Sequence, residues 1–566
     1  MKRRLLPMMM TLVLVCALSI WAAFVTSGDV TNPLVSTAWA DTAEGEGNSG
    51  TTQETFTEVD SETTLKNAVA DGKSVRMTQD ITLTSSLYIE KAVTLDMDGH
   101  MLTRMHTDKY DMVVIRSDAT LTLIDSNTGN LQHRFNAGET GWTKAADNAT
   151  GDGIVTVTGG VIYGDAGRSI INPCGIKILK GKLEMYGGSI VGIRNDYNDN
   201  GGGVYVSDQC TFNMYGGSIK GCYVSSDGGG VYVAAGGTFT MSGSSAITNC
   251  KGSRGGAVYN AGTFTMRDNS HIADCIYNSS IASGGGVHNK GTFTVEGGSI
   301  TGSVNDHNRE QSSDDICNEN KLDVSEGITI SCNVNVGYGG TISKGTFTGR
   351  VWIFWEGTIL GGTFTNEVIN YEGTIKAGEF TGEVTNTSGG TISGGTFDKN
   401  VANESGATIS GGTFNENVTN KTNATLNGGI FYGGVTNDGG KIEDGAYETV
   451  KFNSDNGAQA KEEKVLRGQK VAKPTDDPTK SGYTFIGWED ADGAYDFSKS
   501  VTAPLTLTAK WEKNPSSGGY YYYPTTDTKA DDTKGSPKTA DPGVALYAAL
   551  SILSLTGMVA LNGKKR

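Results

Sequence analysis

The sequence has little proline, little histidine and a deficit of basic charge, and it lacks the short motifs of common catalytic and metal sites. Of its 566 residues 10 are Pro and 6 are His, and its formal net charge is −16. An acidic surface repels nucleic acid and anionic lipid, and no basic patch with interleaved aromatics occurs, so we expect no nucleic-acid partner. Without a CxxC pair, an HExxH or a GxSxG motif, neither a zinc site nor a serine nucleophile is predicted.

The eight cysteines do not predict a disulfide framework. Cys16 lies in an apolar run near the N-terminus, which leaves seven for the rest of the chain, an odd number. Cys222, Cys250 and Cys275 recur once per repeat of the pattern described next. We expect these three to stack inside the fold as small buried hydrophobes and not as a row of metal ligands.

Glycine is abundant, with 80 residues and no collagen-like period. The motif GGGVYV, or a close variant, recurs four times, and three columns of apolar residues follow the same period. The columns are Val204, Val231, Val258 and Val287; Phe212, Phe239, Phe264 and Phe293; and Ile219, Ile247, Ile272 and Ile300. The period is roughly 27 to 29 residues along the valines, within the range of stacked repeats, and each unit holds three short alternating runs. Constant columns at such a period predict an all-β fold, a parallel β-solenoid with one repeat per rung.

After about Gly337 the period shortens to 16 or 17 residues, which predicts a narrower solenoid with three very short strands per rung. Its isoleucine and phenylalanine columns include Ile342, Ile359, Ile375, Ile392 and Ile409, and Phe347, Phe364, Phe380, Phe397 and Phe414. A column of asparagines accompanies them, at Asn370, Asn386, Asn403, Asn420 and Asn437. Stacked asparagine side chains can bond one another along the axis, so we interpret this column as a structural ladder, with a row of ligand contacts as the alternative.

The N-terminus has the pattern of a secretory signal peptide. A basic tripeptide precedes an apolar run from Leu5 to about Val25, and a small-x-small site ends at Ala40, just before Asp41. A membrane anchor that is never cleaved is the alternative. Either interpretation predicts that the bulk of the chain is exported.

The C-terminus carries a second targeting signal. Residues 544–561 are uncharged and long enough to span a membrane, and a basic tail follows. The positive-inside rule places that tail in the cytoplasm. A simple stop-transfer anchor would account for this much.

The pentapeptide before this span extends the interpretation. The pentapeptide is Ser536, Pro537, Lys538, Thr539 and Ala540. Together with the span and the basic tail it resembles the cell-wall sorting signal of Gram-positive surface proteins, usually Leu-Pro-x-Thr-Gly. The resemblance implies that a sortase cleaves after Thr539 and joins the chain to peptidoglycan. Pro537 and Thr539 match the usual form, whereas Ser536 and Ala540 depart from it, which leaves the class of sortase open.

The segment before the wide repeats is expected to cap the solenoid. Its sequence SETTLKNAVADGKSV predicts a short helix from Glu62 to Ala70, followed by short strands. This opening, with the repeats after it, resembles pectate-lyase-like right-handed β-helix proteins over roughly residues 57–335. The resemblance lies in the pattern of the repeats and brings no catalytic motif with it.

From Val450 the period stops and a different module begins. The stretches GYTFIGW at 482–488, YDF at 495–497 and VTAPLTLTAKW at 501–511 resemble the Listeria–Bacteroides repeat, which is akin to internalin B-repeats. The resemblance implies a small β-grasp-like module, common in bacterial surface proteins and without catalytic residues. We expect its core to hold Tyr483, Phe485, Trp488 and Trp511.

Three groups of residues are candidate sites. Asp196 and Asp199 lie in a loop whose oxygens are a weak candidate for Ca²⁺; no other metal and no cofactor is expected. Trp352, Phe354 and Trp355 depart from the narrow repeat and are either ligand-contacting aromatics or a plug between wide and narrow rungs. An acid–base pair could also be assembled from a third group, Arg254, Asp268, His271 and Asp274, although solenoid surfaces carry such groups by chance.

The segments predict a non-enzymatic surface protein on the cell wall of a Gram-positive bacterium. Their order is signal peptide 1–40, linker 41–56, wide-rung β-helix 57–335, narrow solenoid 336–448, Listeria–Bacteroides module 449–512, linker 513–535 and sorting signal 536–566. An adhesin that binds host, matrix or cell-surface glycans or proteins through the solenoid face is the expected function, with membrane contact only through 544–561 before sorting. The alternatives are an extracellular polysaccharide lyase or hydrolase of the β-helix class and a passive spacer.

Overall fold

The computed structural model describes residues 55–104, 110–127, 129, 131–138, 141–164, 174–196, 200–279, 283–305 and 315–515. The predicted signal peptide with its cleavage point at Ala40 and Asp41, and the sorting signal with its span at 544–561, lie outside these residues. Among the helices that the structure describes, none has the length and apolar character needed to cross a membrane.

Two long parallel sheets run through both kinds of rung, and their strands pair in chain order. Sheet 1 has 17 strands: Thr57–Val59, Val75–Met77, Val93–Asp96, Ala119–Ile124, Gly181–Met185, Thr211–Met214, Thr238–Met241, Thr263–Met266, Thr292–Val295, Lys321–Val324, Thr341–Ile342, Thr358–Ile359, Thr374–Ile375, Thr391–Ile392, Thr408–Ile409, Thr425–Leu426 and Lys441–Ile442. Sheet 2 has 15 strands: Leu87–Ile89, Val113–Ile115, Ile176–Ile178, Val204–Val206, Val231–Val233, Val258–Asn260, Val287–Asn289, Ile316–Asn318, Val334–Val336, Val351–Ile353, Val368–Tyr371, Val384–Thr387, Val401–Asn403, Val418–Lys421 and Val435–Asp438. The predicted all-β parallel solenoid is confirmed.

Shorter parallel sheets close the rungs. In the wide rungs, sheet 3 has eight strands: Ile81–Leu83, Met101–Arg104, Val161–Tyr163, Ser189–Val191, Ser218–Lys220, Ala246–Thr248, His271–Ala273 and Ser299–Thr301. Sheet 4 adds five two-residue strands: Arg194–Asn195, Tyr223–Val224, Lys251–Gly252, Ile276–Tyr277 and Val304–Asn305. In the narrow rungs, sheet 5 has seven: Thr329–Ile330, Thr346–Phe347, Thr363–Phe364, Glu379–Phe380, Thr396–Phe397, Thr413–Phe414 and Ile430–Phe431.

The number of strands per rung differs between the two kinds of repeat. A narrow rung has three, one each in sheets 1, 5 and 2, as the sequence predicts. Most wide rungs have four, because the residues after Cys222, Cys250 and Cys275 pair with the next rung as strands of sheet 4. Two-residue strands are too short to show alternation, so the sequence predicted only three.

Like side chains stack along the inside of the solenoid. In sheet 1 the rings of Phe212, Phe239, Phe264 and Phe293 lie 4.7–4.9 Å apart. In sheet 5 the six rings from Phe347 to Phe431 lie 4.7–5.2 Å apart and nearly parallel. Cys222, Cys250 and Cys275 are buried in the same core, and burial raises the pKa of the Cys222 and Cys250 thiols well above the usual range. The predicted stack of buried cysteines is confirmed.

The asparagine column is a hydrogen-bonded ladder, as predicted. Each Nδ2 from Asn370 to Asn420 donates to Oδ1 of the asparagine in the next rung at 2.7–2.9 Å. A second ladder occupies the same column in the wide rungs, where Asn260 donates to Asn289 and Asn289 to Asn318. Val336 and Ile353 separate the two ladders. Oδ1 of Asn370 is consequently buried without a hydrogen-bond partner among the described residues.

Some glycines are required because neighbouring rungs approach too closely for a side chain. A Cβ on Gly229 would lie 2.4 Å from the carbonyl oxygens of both Gly256 and Lys251. Backbone oxygens at that distance cannot turn away as the end of a flexible side chain can. The GGG motif therefore marks a contact between rungs that is too tight for a side chain.

Gly229→Ala is expected to lower the free energy of unfolding by about 1–3 kcal/mol, because the added methyl group forces two rungs apart. Gly129→Ala is the matched control, since a Cβ there would meet no described atom within 4 Å. Chemical denaturation of both variants measures the difference. Equal free energies of unfolding for the two variants would show that the rungs move apart without loss of stability.

Both ends of the solenoid are covered. At the N-terminal end the helix Glu62–Asp71 begins after the N-cap Ser61, whose side chain accepts from the backbone N–H of Thr64, and ends at Gly72 with φ 79°. The helix buries Leu65, Ala68 and Val69 against the core. The predicted helix is confirmed, with one more residue at its C-terminal end.

The C-terminal module is one mixed sheet in the order Lys461–Leu466, Tyr447–Asn453, Leu505–Lys513, Tyr483–Asp490 and Gly493–Ala494. Its second and third strands pair in parallel, and the other pairs are antiparallel. Trp488 is buried in its core, with Phe485 and Trp511 packed against it. The prediction that Tyr483 lies in this core is wrong. Its ring is 39% exposed beneath the Lys480 ammonium group, since its strand begins at the edge of the hydrophobic cluster.

The module also closes the last narrow rung. The backbone N–H of Phe431 donates to the carbonyl oxygen of Arg467, whose own N–H donates to that of Ala446. A 3₁₀ turn, Asp444–Ala446, leads from the last rung into the module. Because an open solenoid end presents unpaired strand groups, this cover acts as the capping unit that a repeat array requires.

One excursion leaves the solenoid. The strands Thr143–Lys144, Gln132–Asn136 and Ile154–Thr158 form an antiparallel sheet with the middle strand in the centre. Phe135 and Trp142 are buried in a small cluster with Tyr163 on the outer side of sheet 3. The sheet therefore covers part of that face.

Candidate functional site

The turn that follows each sheet 2 strand carries an aromatic residue in two successive narrow rungs. Tyr338 and Trp355 occupy this position, and the next two rungs place Glu372 and Ser388 there. Tyr371 lies one residue earlier, at the end of the strand Val368–Tyr371. The Tyr338 and Trp355 side chains, here called the aromatic turn column, are 47% and 44% exposed, and their ring centroids lie 4.8 Å apart. The two exposed rings form an apolar patch on a polar surface.

The backbone of this column is strained. Tyr338 has φ 50°, and Trp355 and Glu356 have φ 41° and 68° in succession. A bulky residue in the left-handed region costs roughly 1–2 kcal/mol, and other narrow rungs place Gly389 or Gly406 at these turns. Glu372 and Ser388 share this conformation, with φ 59° and 50°, so the strain belongs to the turn, and the aromatic rings are what distinguishes the rungs of Tyr338 and Trp355.

The three aromatic residues of RVWIFWEG differ in how far their side chains are buried. Trp352 lies on the outer face of sheet 2, 39% exposed, between Asn335 and Ile369. Phe354 is buried, and its ring lies so close to Gly337 that a Cβ there would be 2.3 Å away. The plug and the ligand-contact interpretations therefore apply to different residues, since Phe354 fills the step between rungs and Trp352 and Trp355 face solvent.

A cavity of about 460 Å³ lies along the aromatic turn column, lined by Tyr338, Trp355, Glu356 and Glu372. Burial, with the nearby Glu319 carboxylate and Cys317, raises the pKa of Tyr338. This cavity joins ring faces to carboxylate acceptors. That combination suits a ligand with both apolar faces and hydroxyl or amide donors.

The outer face of sheet 2 carries a second aromatic row in the wide rungs. Tyr205, Tyr232, Tyr259 and His288 stack with ring centroids 5.1–5.3 Å apart. Tyr259 and His288 are buried. Burial, with its neighbours Tyr259 and Tyr205, raises the pKa of Tyr232 to about 12.

The row ends at a cavity of about 490 Å³ whose lining includes Arg254, Ser283, His288, Lys290 and Glu319. Tyr338 borders both cavities. The Arg254 guanidinium is bound by both oxygens of Asp227 at 2.9 and 2.6 Å, which raises the pKa of Arg254. Its charge is thus neutralised within the protein.

Three potential metal ligands meet beside this cavity, and two of them, His288 and Glu319, line it. One ligand atom each from His288, Cys317 and Glu319 lies within 4.8 Å of the others. His288 and Cys317 are register partners on adjacent strands of sheet 2. Burial tends to raise the pKa of Glu319, but the pairing with His288 and Lys290 outweighs it and holds the pKa below the usual range.

The predicted calcium loop is only partly described. Nε of Arg194 donates to both oxygens of Asp196 at 3.1 and 2.9 Å, and Asp199 lies outside the described residues. The weak Ca²⁺ candidate stays a prediction. An ion there would have to compete with Arg194 for the carboxylate.

The other proposed acid–base group is spread over different elements. Arg254 precedes a strand of sheet 2, whereas His271 begins a strand of sheet 3. An Asp268 oxygen accepts from the backbone N–H of Gly243 at 2.9 Å, so this carboxylate supports a turn. Burial lowers the pKa of His271, and the Lys220 charge adds to the effect.

Sequence reasoning missed Tyr338 and the group at His288. The signal for Tyr338 was present, because aligning the narrow rungs on their isoleucines places it in one column with Trp355. Aligning GGGVHN with DDICNEN would likewise have placed His288 opposite Cys317. These positions lie outside the inward columns, where no repeated residue marks them.

The comparisons with known proteins concern one part of the chain. The family model of the Listeria-Bacteroides repeat domain matches residues 449–510, which bears out that resemblance. Such domains occur in extracellular surface proteins, so the match supports a surface protein and is compatible with an extracellular location. No curated protein and no solved structure matches the chain.

Proposed function

We propose that this chain is a non-enzymatic surface protein that binds glycans or proteins of host, matrix or neighbouring cells through its solenoid face. The observation that carries the proposal is the aromatic turn column with Trp352 beside it. Tyr338 and Trp355 are exposed in successive rungs with their rings in contact, and Trp352 is exposed on the adjoining strand. Flat rings flanked by Glu356 and Glu372 fit sugar faces and their hydroxyl groups.

The anchoring proposed with this function rests on the sequence. A sortase would join Thr539 to peptidoglycan, and the module at 449–510 would lie nearer the wall than the solenoid. The cap that the module forms on the last narrow rung supports this order, because it continues the rod toward the C-terminus. Contacts repeated along a rod multiply weak affinities when the ligand is itself repetitive.

Trp355→Gly is expected to weaken binding by about 30-fold or more, the loss typical of an interface hot spot. Its stability should change by less than about 1 kcal/mol, because relief of the left-handed strain offsets lost ring contacts. The whole chain is first screened on a glycan and matrix-protein array, and the affinity for its strongest hit is then compared between variants.

Ser388→Gly is the matched control, since Ser388 occupies the same turn position with φ 50° two rungs beyond Trp355. This variant should bind as the unchanged chain does. Unaltered binding by Trp355→Gly would remove the aromatic turn column from the proposal. Silence on the array, together with breakdown of a polysaccharide, would favour the lyase or hydrolase alternative.

A further inference from the structure

We propose that His288, Cys317 and Glu319 form a binding site for a divalent transition-metal ion of the zinc class, open to the cavity that His288 and Glu319 line. The inference does not depend on glycan binding. It concerns a nitrogen, a sulfur and an oxygen donor brought together on the outer face of sheet 2.

The solenoid itself holds the three donors. His288 and Cys317 are directly opposite each other on adjacent parallel strands, and Glu319 follows two residues after Cys317, on the same side of the chain. Their ligand atoms lie within 4.8 Å of one another. Ligand atoms around one tetrahedral zinc lie roughly 3.3–3.8 Å apart, given bonds of about 2.0–2.3 Å. Small side-chain rotations would therefore bring these donors onto one ion.

Buried polar atoms without hydrogen-bond partners indicate that an ion binds at this position. His288 is fully buried, and neither ring nitrogen has a hydrogen-bond partner among the described residues. Its Nε2 lies 3.2 Å from Oε1 of Glu319, but without the alignment of a hydrogen bond. Oγ of Ser283, which lines the same cavity, is also buried with no partner in the described part of the chain. Buried polar groups are nearly always satisfied in proteins, so these orphans fit a bound ion and its water.

The charge around the site fits a dication. Oε2 of Glu319 is paired with Lys290 Nζ at 2.9 Å, which leaves Oε1 facing His288. On binding, the Cys317 thiol would lose its proton, so the thiolate and the Glu319 carboxylate would offset most of the positive charge of the ion and of Lys290. Lys290 holds the carboxylate in place, as residues behind metal ligands commonly do.

The donor types select the metal. A thiolate with an imidazole favours zinc and similar borderline ions over Ca²⁺ or Mg²⁺, which require oxygen ligands. Three protein ligands leave the remaining position open toward the cavity of about 490 Å³. An ion held in this way can bind a water molecule or an oxygen of a ligand that enters the cavity.

The test uses the whole chain, stripped with a chelator and titrated with Zn²⁺ against a chromophoric competitor, and separately with Co²⁺. We expect saturable binding at a single equivalent and a thiolate-to-cobalt charge-transfer band in the absorption spectrum. His288→Phe and Cys317→Ser should each weaken Zn²⁺ binding by more than about 100-fold. Replacing even a residue that only hydrogen-bonds to a metal ligand typically lowers metal affinity by about 10–100-fold, and a ligand itself contributes more.

Both variants preserve the shape of the fold. Phe at 288 continues the stack of Tyr205, Tyr232 and Tyr259, and Ser at 317 is nearly isosteric with Cys. Cys210→Ser is the matched control, since Cys210 is a buried thiol away from this cavity, and its metal affinity should be unchanged. Circular dichroism verifies that each variant is folded.

Lys290→Gln gives an independent readout. Because Lys290 holds the Glu319 carboxylate in place, its removal should weaken Zn²⁺ binding by about 10-fold, less than the loss of a ligand does, and leave the thiolate-to-cobalt band unchanged. A folded Cys317→Ser variant that binds Zn²⁺ as tightly as the unchanged chain would overturn the site, as would a cobalt complex without the thiolate band. Either outcome leaves the glycan proposal intact, because that proposal is tested at Trp355.

Discussion

Phe397→Ala is expected to lower the free energy of unfolding by about 3–5 kcal/mol, the usual cost of truncating a fully buried phenylalanine. The Phe397 ring is fully buried and lies 4.7 Å from Phe380 and 4.8 Å from Phe414. Its removal leaves a cavity that neighbouring rungs cannot fill, because rung spacing is fixed by backbone hydrogen bonds.

The effect should be concentrated in the narrow rungs, since repeat arrays are held by contacts between neighbours. Hydrogen exchange resolved by mass spectrometry should show faster exchange around Phe380 to Phe414, and chemical denaturation gives the free energy. Thr396→Ala, on the exposed side of the same strand, should change stability by less than about 0.5 kcal/mol. A loss equal to that of Thr396→Ala would show that the phenylalanine stack does not stabilise the rod.

Asn403→Ala is expected to lower the free energy of unfolding by roughly 2–4 kcal/mol, because it leaves two buried amides of the ladder incompletely bonded. Nδ2 of Asn386 loses its acceptor in Asn403, and Oδ1 of Asn420 loses its donor. All three side chains are fully buried, so water cannot replace the lost bonds.

Asn415→Ala is the control, since Asn415 is an exposed asparagine that donates to Asp398 on the surface. It should cost less than about 0.5 kcal/mol in thermal or chemical unfolding. Equal costs at Asn403 and Asn415 would contradict the ladder as a source of stability and reopen its interpretation as a row of ligand contacts.

The inner half of each rung could be predicted from the sequence. Side chains alternate between the two faces of a strand, so a repeated Val, Phe or Ile marks the buried face wherever the strand lies. The helix near Glu62 followed from its capping residues, and the Listeria–Bacteroides module from its aromatic pattern. Each of these signals is local or strictly periodic.

The candidate sites could be predicted only in part, because they depend on contacts between rungs. Trp352 and Trp355 were identified from their composition, but the burial of Phe354 depends on how its ring packs over Gly337. Sheet 4 could not be predicted, because its two-residue strands are too short to show alternation. Tyr483 was misplaced because apolar character alone does not show which end of a strand meets the core.

The sequence by itself determined the period of each solenoid, the identity of the inward columns and the asparagine ladder. All three depend on repetition and alternation, which can be observed in the order of residues without knowing their contacts. Only the tertiary structure decided which outward residues became neighbours. His288 and Cys317 are one full rung apart along the chain, and the pairing of their strands in sheet 2 places them opposite each other. The left-handed turns that hold Tyr338 and Trp355 outward, and the seal that the module forms on the last rung, likewise arise from the packing of one rung on the next.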